Sequence, residues 1–520
     1  FTGGGITECH GIIRNNLISR NIALREGGGL WKCNGFIQNN TISYNSADSE
    51  GEGLANGGGV WFCRGLIMNC IIWGNTASHE GNQMYSSSMP FWCCVEDWSG
   101  GGNGNITSDP QFVDYTSGDF HLKSTSPCID AGNTFYLFGD DITDVDAYAR
   151  ISGSAVDMGS YEYGSSPDSD GDLLSDDDED GYGGNPEISD TDNDGLPDGI
   201  EVLRGTDPVS PESPPNLNVP SDYSTIQEAI FMAYPGEEIT VEKGRYFENL
   251  LFTGRSIILQ SSDPEDESTV KSTIIDGAEK HSVITFSGNE NDTCILNGFT
   301  VTKGDAAGYG GGINGGGALA EIKNNRVINN TAGSWNGYGG GIYRCNGKIQ
   351  DNIISDNYAG LDGGGLAECN GLIQGNTITL NETNETGGGL YLCHGEIQNN
   401  IISDNSTQFG GGISECNGII RQNTISENES NIGGGLYLCR GIIQNNNISN
   451  NSAKRGAGGL YKCHGIVQKN VIMNNFSVEE GAGGLSECNG IIRNNIIARN
   501  SAKGNGGGLN ECAAAIHNNT

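Results

Sequence analysis

Residues Gly387–Asn405 read GGGLYLCHGEIQNNIISDN, and the same text returns as Gly410–Asn428, GGGISECNGIIRQNTISEN, and again from Gly433. The shared positions give the template GGG-[IL]-x-x-C-x-G-x-I-x-x-N-x-I-x-x-N. The triple glycine, or its Gly-Ala-Gly-Gly variant, opens at Gly310, Gly339, Gly363, Gly387, Gly410, Gly433, Gly456, Gly481 and Gly506. The steps between these starts are 29, 24, 24, 23, 23, 23, 25 and 25 residues. Self-similarity at such a period marks a stacked-repeat architecture.

Helical repeats need roughly 33 residues to hold two helices, so this period excludes them. Leucine-rich repeats have the right length but carry several leucines per unit, where this template has Ile, Gly and Asn. Its apolar positions come in short bursts, Leu390–Cys393, Ile397 and Ile401–Ile402, separated by Gly and Asn. That pattern predicts three brief strands per coil joined by tight turns. Coils of this kind stack at the strand spacing of ~4.8 Å, so each template position becomes a ladder. Leu and Ile ladders fill the interior. Asn tolerates the left-handed backbone and hydrogen-bonds locally, so the Asn ladders are expected at the corners. The fold class is all-β, a right-handed parallel β-helix.

Glycine supplies 83 of 520 residues against 13 prolines, which suits a turn-dense solenoid. A hydrophobic content of 35% is low for a globule but adequate for the thin core of a solenoid. The net charge of −38 argues against nucleic acid or an anionic membrane as partner and favours divalent cations in an extracellular setting. No apolar run is long enough to span a bilayer.

Three coils open at Gly3, Gly27 and Gly57, with Cys9, Cys33 and Cys63 at the template position, and the pattern then dissolves after residue 88. Residues 119–133, DFHLKSTSPCIDAGN, and 155–164, AVDMGSYEYG, resemble the segment that closes bacterial right-handed β-helix domains. Residues 1–163 therefore resemble the C-terminal part of such a domain. Residues 218–252, NVPSDYSTIQEAIFMAYPGEEITVEKGRYFENLLF, resemble the opening of pectate-lyase-like domains: a short helix, a strand, then a Gly-Xaa-Tyr turn. Ser224 and Gln227 form a capping-box pattern, and Ile226, Ala229, Ile230 and Ala233 make one apolar face. This helix is expected to plug the first coil of a second β-helix, 216–520, with nine regular coils and an open C-terminal end.

Between the two lies an acidic linker, 164–215. From Asp168 to Glu212 it holds sixteen Asp or Glu and one Arg. Asp190, Asp192, Asp194, Gly195, Asp198 and Glu201 occupy positions 1, 3, 5, 6, 9 and 12 of an EF-hand-like loop, with the Leu196 carbonyl at position 7. Oxygen-only ligands in that number suit Ca²⁺. Asp168, Asp170, Asp172, Asp176 and Glu179 repeat the spacing but place Leu173 where glycine is wanted, so weaker binding or a different turn is expected. The segment resembles thrombospondin type 3 repeats. Other acids elsewhere, such as Asp404 and Glu427, read as solvated turn residues.

Cys345, Cys369, Cys393, Cys416, Cys439, Cys463, Cys488 and Cys512 hold one template position on consecutive coils. Two readings stand: buried thiols packed as small hydrophobes, or coil-to-coil disulfides. In-register side chains point the same way, which favours the thiols. Zinc is disfavoured because no His converges on the ladder.

Pectate-lyase-like enzymes need Ca²⁺-binding acids beside a basic residue on one sheet. Here the slot before Cys alternates Glu8, Glu368, Glu415, Glu487 and Glu511 with Lys32, Arg344, Leu392, Leu438 and Lys462. The preceding slot alternates Trp31, Trp61, Tyr343, Tyr391, Tyr437 and Tyr461 with small residues, and His10, His394 and His464 recur after Cys. These are repeating textures; a catalytic cluster would break the repeat at one place. The repeats also resemble the GGA[IL] and F-x-x-N units of bacterial polymorphic membrane proteins, surface-exposed adhesins. That resemblance implies a non-catalytic extracellular structural protein, a unit of a fibre, sheath or adhesin stalk stiffened by Ca²⁺. Phe1–Thr2 and Asn519–Thr520 both fall inside a coil, which suggests head-to-tail self-association or a longer covalent array. A glycan or other cell-surface ligand on the aromatic stripes, and a polysaccharide lyase or hydrolase with tandem β-helix modules, are the alternatives.

Overall fold

The computed structural model describes residues 3–9, 11–48, 55–100, 104–134, 137, 143–211, 217–252, 254–333 and 335–520. Phe1, Thr2, His10, Glu212 and Ser213 lie outside them. The chain forms two compact units, Phe1–Pro215 and Asn216–Thr520. The acidic segment belongs to the first, against which it is tied by a Tyr148–Pro167 bridge and an Ala149 N–H to Ser166 carbonyl bond of 3.0 Å.

Parallel strands stack coil upon coil in both units. Each regular coil carries four strands, one more than the apolar bursts foretell. In the coil opening at Gly387 they are Leu390–Tyr391, Glu396–Gln398, Ile401–Ser403 and Ser406–Phe409. The fourth escapes notice because a single small buried residue, such as Ala332, Ala359 or Ala453, supplies its inward face. Stacking in register builds second-unit sheets of 11, 13, 11 and 9 strands in the order the coil visits them. Leu390 lies over Ile413, Ile397 over Ile420 and Ile402 over Ile425, all fully buried.

The corners depart from expectation in an instructive way. The left-handed residues are Leu392, Asn399 and Asp404, with φ of 50°, 56° and 56°. The template asparagines, Asn400 and Asn405, follow them and point inward, 1% and 0% exposed. Asn405 Oδ1 accepts from the Asn381 N–H and Nδ2 in the coil before, both at 3.0 Å. Its own N–H and Nδ2 donate to Asn428 Oδ1 in the coil after, at 3.1 and 3.0 Å, and Nδ2 also reaches the Ile378 carbonyl at 3.0 Å. Each asparagine thus replaces, with its side chain, a backbone partner that the bend removes. The glycines leave room for it: a Cβ on Gly389 would come within 2.5 Å of the Gly412 carbonyl oxygen and 3.3 Å of Asn405 Nδ2.

In the first unit a fourth coil, Met84–Tyr85, Pro90–Phe91 and Cys94–Val95, stacks where the pattern dissolves. The ladder roles persist with other residues. Ser87 Oγ takes the Cys63 N–H at 3.1 Å in the cysteine position. Cys70 and Cys93 replace asparagine, their sulfurs accepting the Asn40 and Cys70 N–H groups at 3.5 and 3.3 Å. Residues 106–134 and 143–161 then lie along the outer face of the third sheet, where Phe112, Phe120, Leu122, Cys128 and Met158 pack on Ile71 and Cys94. The two motifs of this segment bind each other, Asp130 N–H to Asp157 Oδ1 at 2.7 Å and Met158 N–H to the Cys128 carbonyl at 3.0 Å.

Four short helices complete the described residues: α1 (Asp176–Tyr182), α2 (Asp198–Arg204), α3 (Ile226–Met232) and α4 (Glu267–Ser272). None is long and apolar enough to cross a membrane. In α3 the cap is Thr225, whose side chain accepts the Glu228 N–H, while Ser224 hydrogen-bonds the Glu228 carboxylate at 2.9 Å. Gln227, expected in the capping box, is instead buried and bonded to both backbone groups of Leu251. This helix packs on the first two strands of the longest sheet, Leu217–Val219 and Glu238–Val241, and so covers their edge.

Asn405→Ala strands the Asn381 N–H and the Ile378 carbonyl inside the coil and is expected to cost about 2–4 kcal/mol in equilibrium urea unfolding. Asn447→Ala, on an exposed strand position, is expected to change stability by about 0.5 kcal/mol or less. Equal effects would contradict the ladder's role.

Candidate metal centre

The acidic segment folds into two successive loop–helix units of the same design. In each, a carboxylate loop runs into a short helix that starts at position 9 and carries the position-12 glutamate in its first turn: α1 with Glu179, α2 with Glu201. Acidic residues at that end of a helix oppose the positive end of its backbone dipole.

Side-chain-to-backbone hydrogen bonds shape both loops. Asp190 accepts the Asp194 and Gly195 N–H groups at 3.2 and 2.9 Å, and Asp194 accepts that of Leu196 at 3.0 Å. In the first loop Asp168 accepts the Gly171 N–H at 2.7 Å and Asp172 accepts the Leu174 N–H at 2.8 Å. The turn at position 6 is the same in both. Gly195 has φ of 103° and Leu173 has φ of 89°. Leu173 therefore holds a left-handed backbone that L side chains rarely adopt, so any weakness of the first loop arises from this strain, with the chain path kept. Burial of Leu173 and Leu174, 7% and 8% exposed, compensates by packing.

The result is two carboxylate triads. Asp168, Asp170 and Asp172 each bring an oxygen within 4.8 Å of the others, and so do Asp190, Asp192 and Asp194. Beside them stand Glu179 and Glu201, both 0% exposed. Both oxygens of Asp170 and of Glu179, Asp192 Oδ2 and Glu201 Oε2 are buried without a hydrogen-bond partner. An unpaired buried carboxylate is costly, and several turned toward one another are worse. Burial first, then the charges of Asp192, Asp194 and Asp198, push Glu201 up to about 8. Burial with Asp170 and Asp172 does the same to Glu179, also to about 8. Burial pushes Asp172 up to about 7 and Asp170 to about 6.

Asp176 and Asp198 are engaged differently. Both Asp198 oxygens accept bonds from Thr191, its N–H at 2.7 Å and its hydroxyl at 2.6 Å. Ser169 binds Asp176 in the same way, at 2.8 and 2.9 Å. These two acids close their loops onto the helices, and the Asp198 charge still acts on Glu201. The hydroxyl residue at position 2 of both loops was visible in the sequence; its role was not. The loops also touch: the Gly199 N–H donates to Asp172 Oδ2 at 2.9 Å, and a Cβ on Gly199 would lie 2.4 Å from the Asp172 carbonyl oxygen.

Residues 190–211 match the family described as the bacterial TSP3 repeat, a calcium-binding type of unit. Neither a curated protein nor a solved structure gives a match. The unpartnered carboxylate oxygens fit a hard divalent cation. Asp190, Asp192, Asp194 and Glu201, with the Leu196 carbonyl, are the residues that would hold it in the matched loop. Asp168, Asp170, Asp172 and Glu179 would do so in the other. A bound calcium ion supplies the positive charge these sites lack.

The eight ladder cysteines of the second unit are free thiols, buried except for Cys512, which is half-buried. Each sulfur points to the carbonyl two residues before it, as Cys416 does to Ser414 at 3.3 Å. Cys416 also accepts the Cys393 N–H at 3.2 Å. The slot before each cysteine, read as a surface texture, is a left-handed corner throughout, from Glu8 at 50° to Glu511 at 48°.

Because Glu179, Glu201 and Asp172 hold protons near neutral pH in the metal-free protein, calcium binding at pH 7 is expected to release protons. Calorimetry in buffers of different ionisation enthalpy measures this, and a heat independent of the buffer would contradict it. Glu201→Gln, which keeps shape and removes charge, is expected to weaken calcium binding by roughly 2 kcal/mol or more.

Proposed function

We propose that this chain is a non-catalytic structural repeat protein of the cell exterior, part of a fibre, sheath or adhesin stalk, in which calcium orders the acidic segment between two β-solenoid units. A calcium-binding repeat and a solenoid fold fit a structural repeat protein. The observation that carries the reading is the set of buried, unpartnered carboxylate oxygens in two consecutive loops. Among the described residues only a small apolar group sits beneath them: Leu173, Leu174, Leu196 and Ile200 are the buried aliphatic side chains of the two loops and α2. Such a segment is too small to hold several like charges together unaided, so its order depends on the cation. The solenoid units have ladders of their own and do not.

The bacterial TSP3 match supports an extracellular setting, and the resemblance of the repeats to polymorphic membrane proteins supports a surface role. In this reading the partners are surfaces, a further copy of the chain or a cell-surface glycan, rather than a substrate to be cleaved. The aromatic rows supply flat faces for such contacts: Trp31 stacks on Trp61 at 6.0 Å and Tyr437 on Tyr461 at 5.9 Å.

Limited trypsinolysis tests the proposal at Arg204, the one basic residue of the acidic stretch. Cleavage there is expected to be slow with millimolar Ca²⁺ and at least tenfold faster in EDTA, while the solenoid arginines stay protected in both. Cleavage at Arg204 at one rate in both conditions would overturn it.

A further inference from the structure

The chain carries 65 Asp and Glu, yet none falls between Ser430 and Val478. Four coils of the second unit, those that open at Gly410, Gly433, Gly456 and Gly481, share an acid-free side. Residues 417–426, 440–449, 464–473 and 489–498 supply their second and third strands with the corner between. These forty residues hold no Asp or Glu, and their fixed charges are Arg421, Arg440, Lys469 and Arg493.

Successive residues of a strand face opposite sides. Ile420, Ile443, Val467 and Ile492 enter the core and are fully buried, so Ile419, Ile442, Ile466 and Ile491 point outward. Register stacks these four into one apolar stripe. Val471 and Ile496 extend it on the third sheet, where Ile496 is 46% exposed. The acid-free side ends one coil earlier, where Glu396 takes the stripe position and pairs with Arg421.

The first unit shows that this side of a coil can carry another element: its own third sheet lies beneath residues 106–134 and 143–161. That covering segment is acidic, with seven Asp against one lysine and one arginine in those residues. It leaves Val113, Tyr115, Val145 and Tyr148 exposed, at 38 to 44%. One surface is thus apolar and basic, the other apolar and acidic.

We propose that the acid-free face of one copy takes the covering segment of a second copy, so that copies join through unlike surfaces. The inference rests on the structural reading given under Proposed function and names the contact through which its copies meet.

Two chains of charge −38 repel each other. A face without acids is where a second such chain approaches at least cost, and its arginines and lysine favour an acidic partner over a basic one. The stripe supplies apolar burial. Ten residues at ~3.3 Å across four coils at ~4.8 Å make a face of roughly 600 Å², close to the ~800 Å² per partner of a standard interface. Because each copy owns one surface of each kind, every pairing leaves one free at either end, and the assembly can grow into a filament. That outcome fits a fibre or sheath.

Sedimentation of the full chain with Ca²⁺, from micromolar to a few hundred micromolar, tests the contact. The mean mass is expected to rise with concentration without a plateau and to fall as salt is added. Ile442→Glu with Ile466→Glu removes the stripe using the residue that Glu396 already places at this position, so the coil is kept. Val113→Lys with Val145→Lys alters exposed positions of the covering segment. Each double variant alone is expected to stay monomeric, and an equimolar mixture of the two to form a dimer, because one intact face then meets one intact segment. A wild-type chain that stays monomeric, a stripe variant that assembles as the wild type does, or a mixture that stays monomeric would overturn the proposal. A monomeric chain in which Ca²⁺ still protects Arg204 from trypsin would overturn this contact alone and leave the calcium-ordered structural reading in place.

Discussion

Everything in this molecule depends on an asparagine side chain standing in for a strand. A parallel coil must turn several times per circuit, and each turn takes backbone N–H and C=O groups out of the ladder while keeping them inside. The inward asparagines return those bonds: Asn400 and Asn405 each link three consecutive coils. The cost of an unpaired buried N–H exceeds the gain of a typical bond, so the ladder works chiefly by preventing orphans. Once the corners are satisfied, the thin interior of Leu, Ile and Cys suffices, and outward residues vary freely.

That freedom explains where chemistry is and is not found. Outward positions on the regular coils alternate large with small and acid with base, and the left-handed corners accept Leu392, Glu415 and Lys462 alike. The acidic segment follows the opposite rule. Its two loops are lined by carboxylates, the buried aliphatic side chains among its described residues are Leu173, Leu174, Leu196 and Ile200, and its conformation is written in Asp-to-backbone hydrogen bonds. One part of the chain is held by neutral amide ladders and the other by charge that calls for a cation.

The sequence disclosed the period, the inward Leu and Ile positions and the spacing of both acidic loops, because each is a repeat of residue type at fixed distance. It concealed what depends on a residue doing another's work. The corner role went to the wrong asparagines because left-handed propensity belongs to the residue type, while the actual left-handed residues, Asn399 and Asp404, stand one place earlier. The fourth strand was hidden because its only inward residue is small. The fourth coil of the first unit was hidden because Ser87 and Cys93 carry its ladder bonds under unfamiliar side chains. In the acidic segment, the 1-3-5-9-12 spacing was legible, but the diversion of Asp176 and Asp198 to Ser169 and Thr191 requires knowing where two hydroxyls lie.

The account stands or falls on where calcium binds. Anomalous diffraction from crystals grown with Ca²⁺, collected at long wavelength, locates the ion directly. The account predicts a peak enclosed by Asp190, Asp192, Asp194 and Glu201, with a second enclosed by Asp168, Asp170, Asp172 and Glu179. A map with calcium elsewhere, or with these carboxylates paired to water and protein alone, would contradict it.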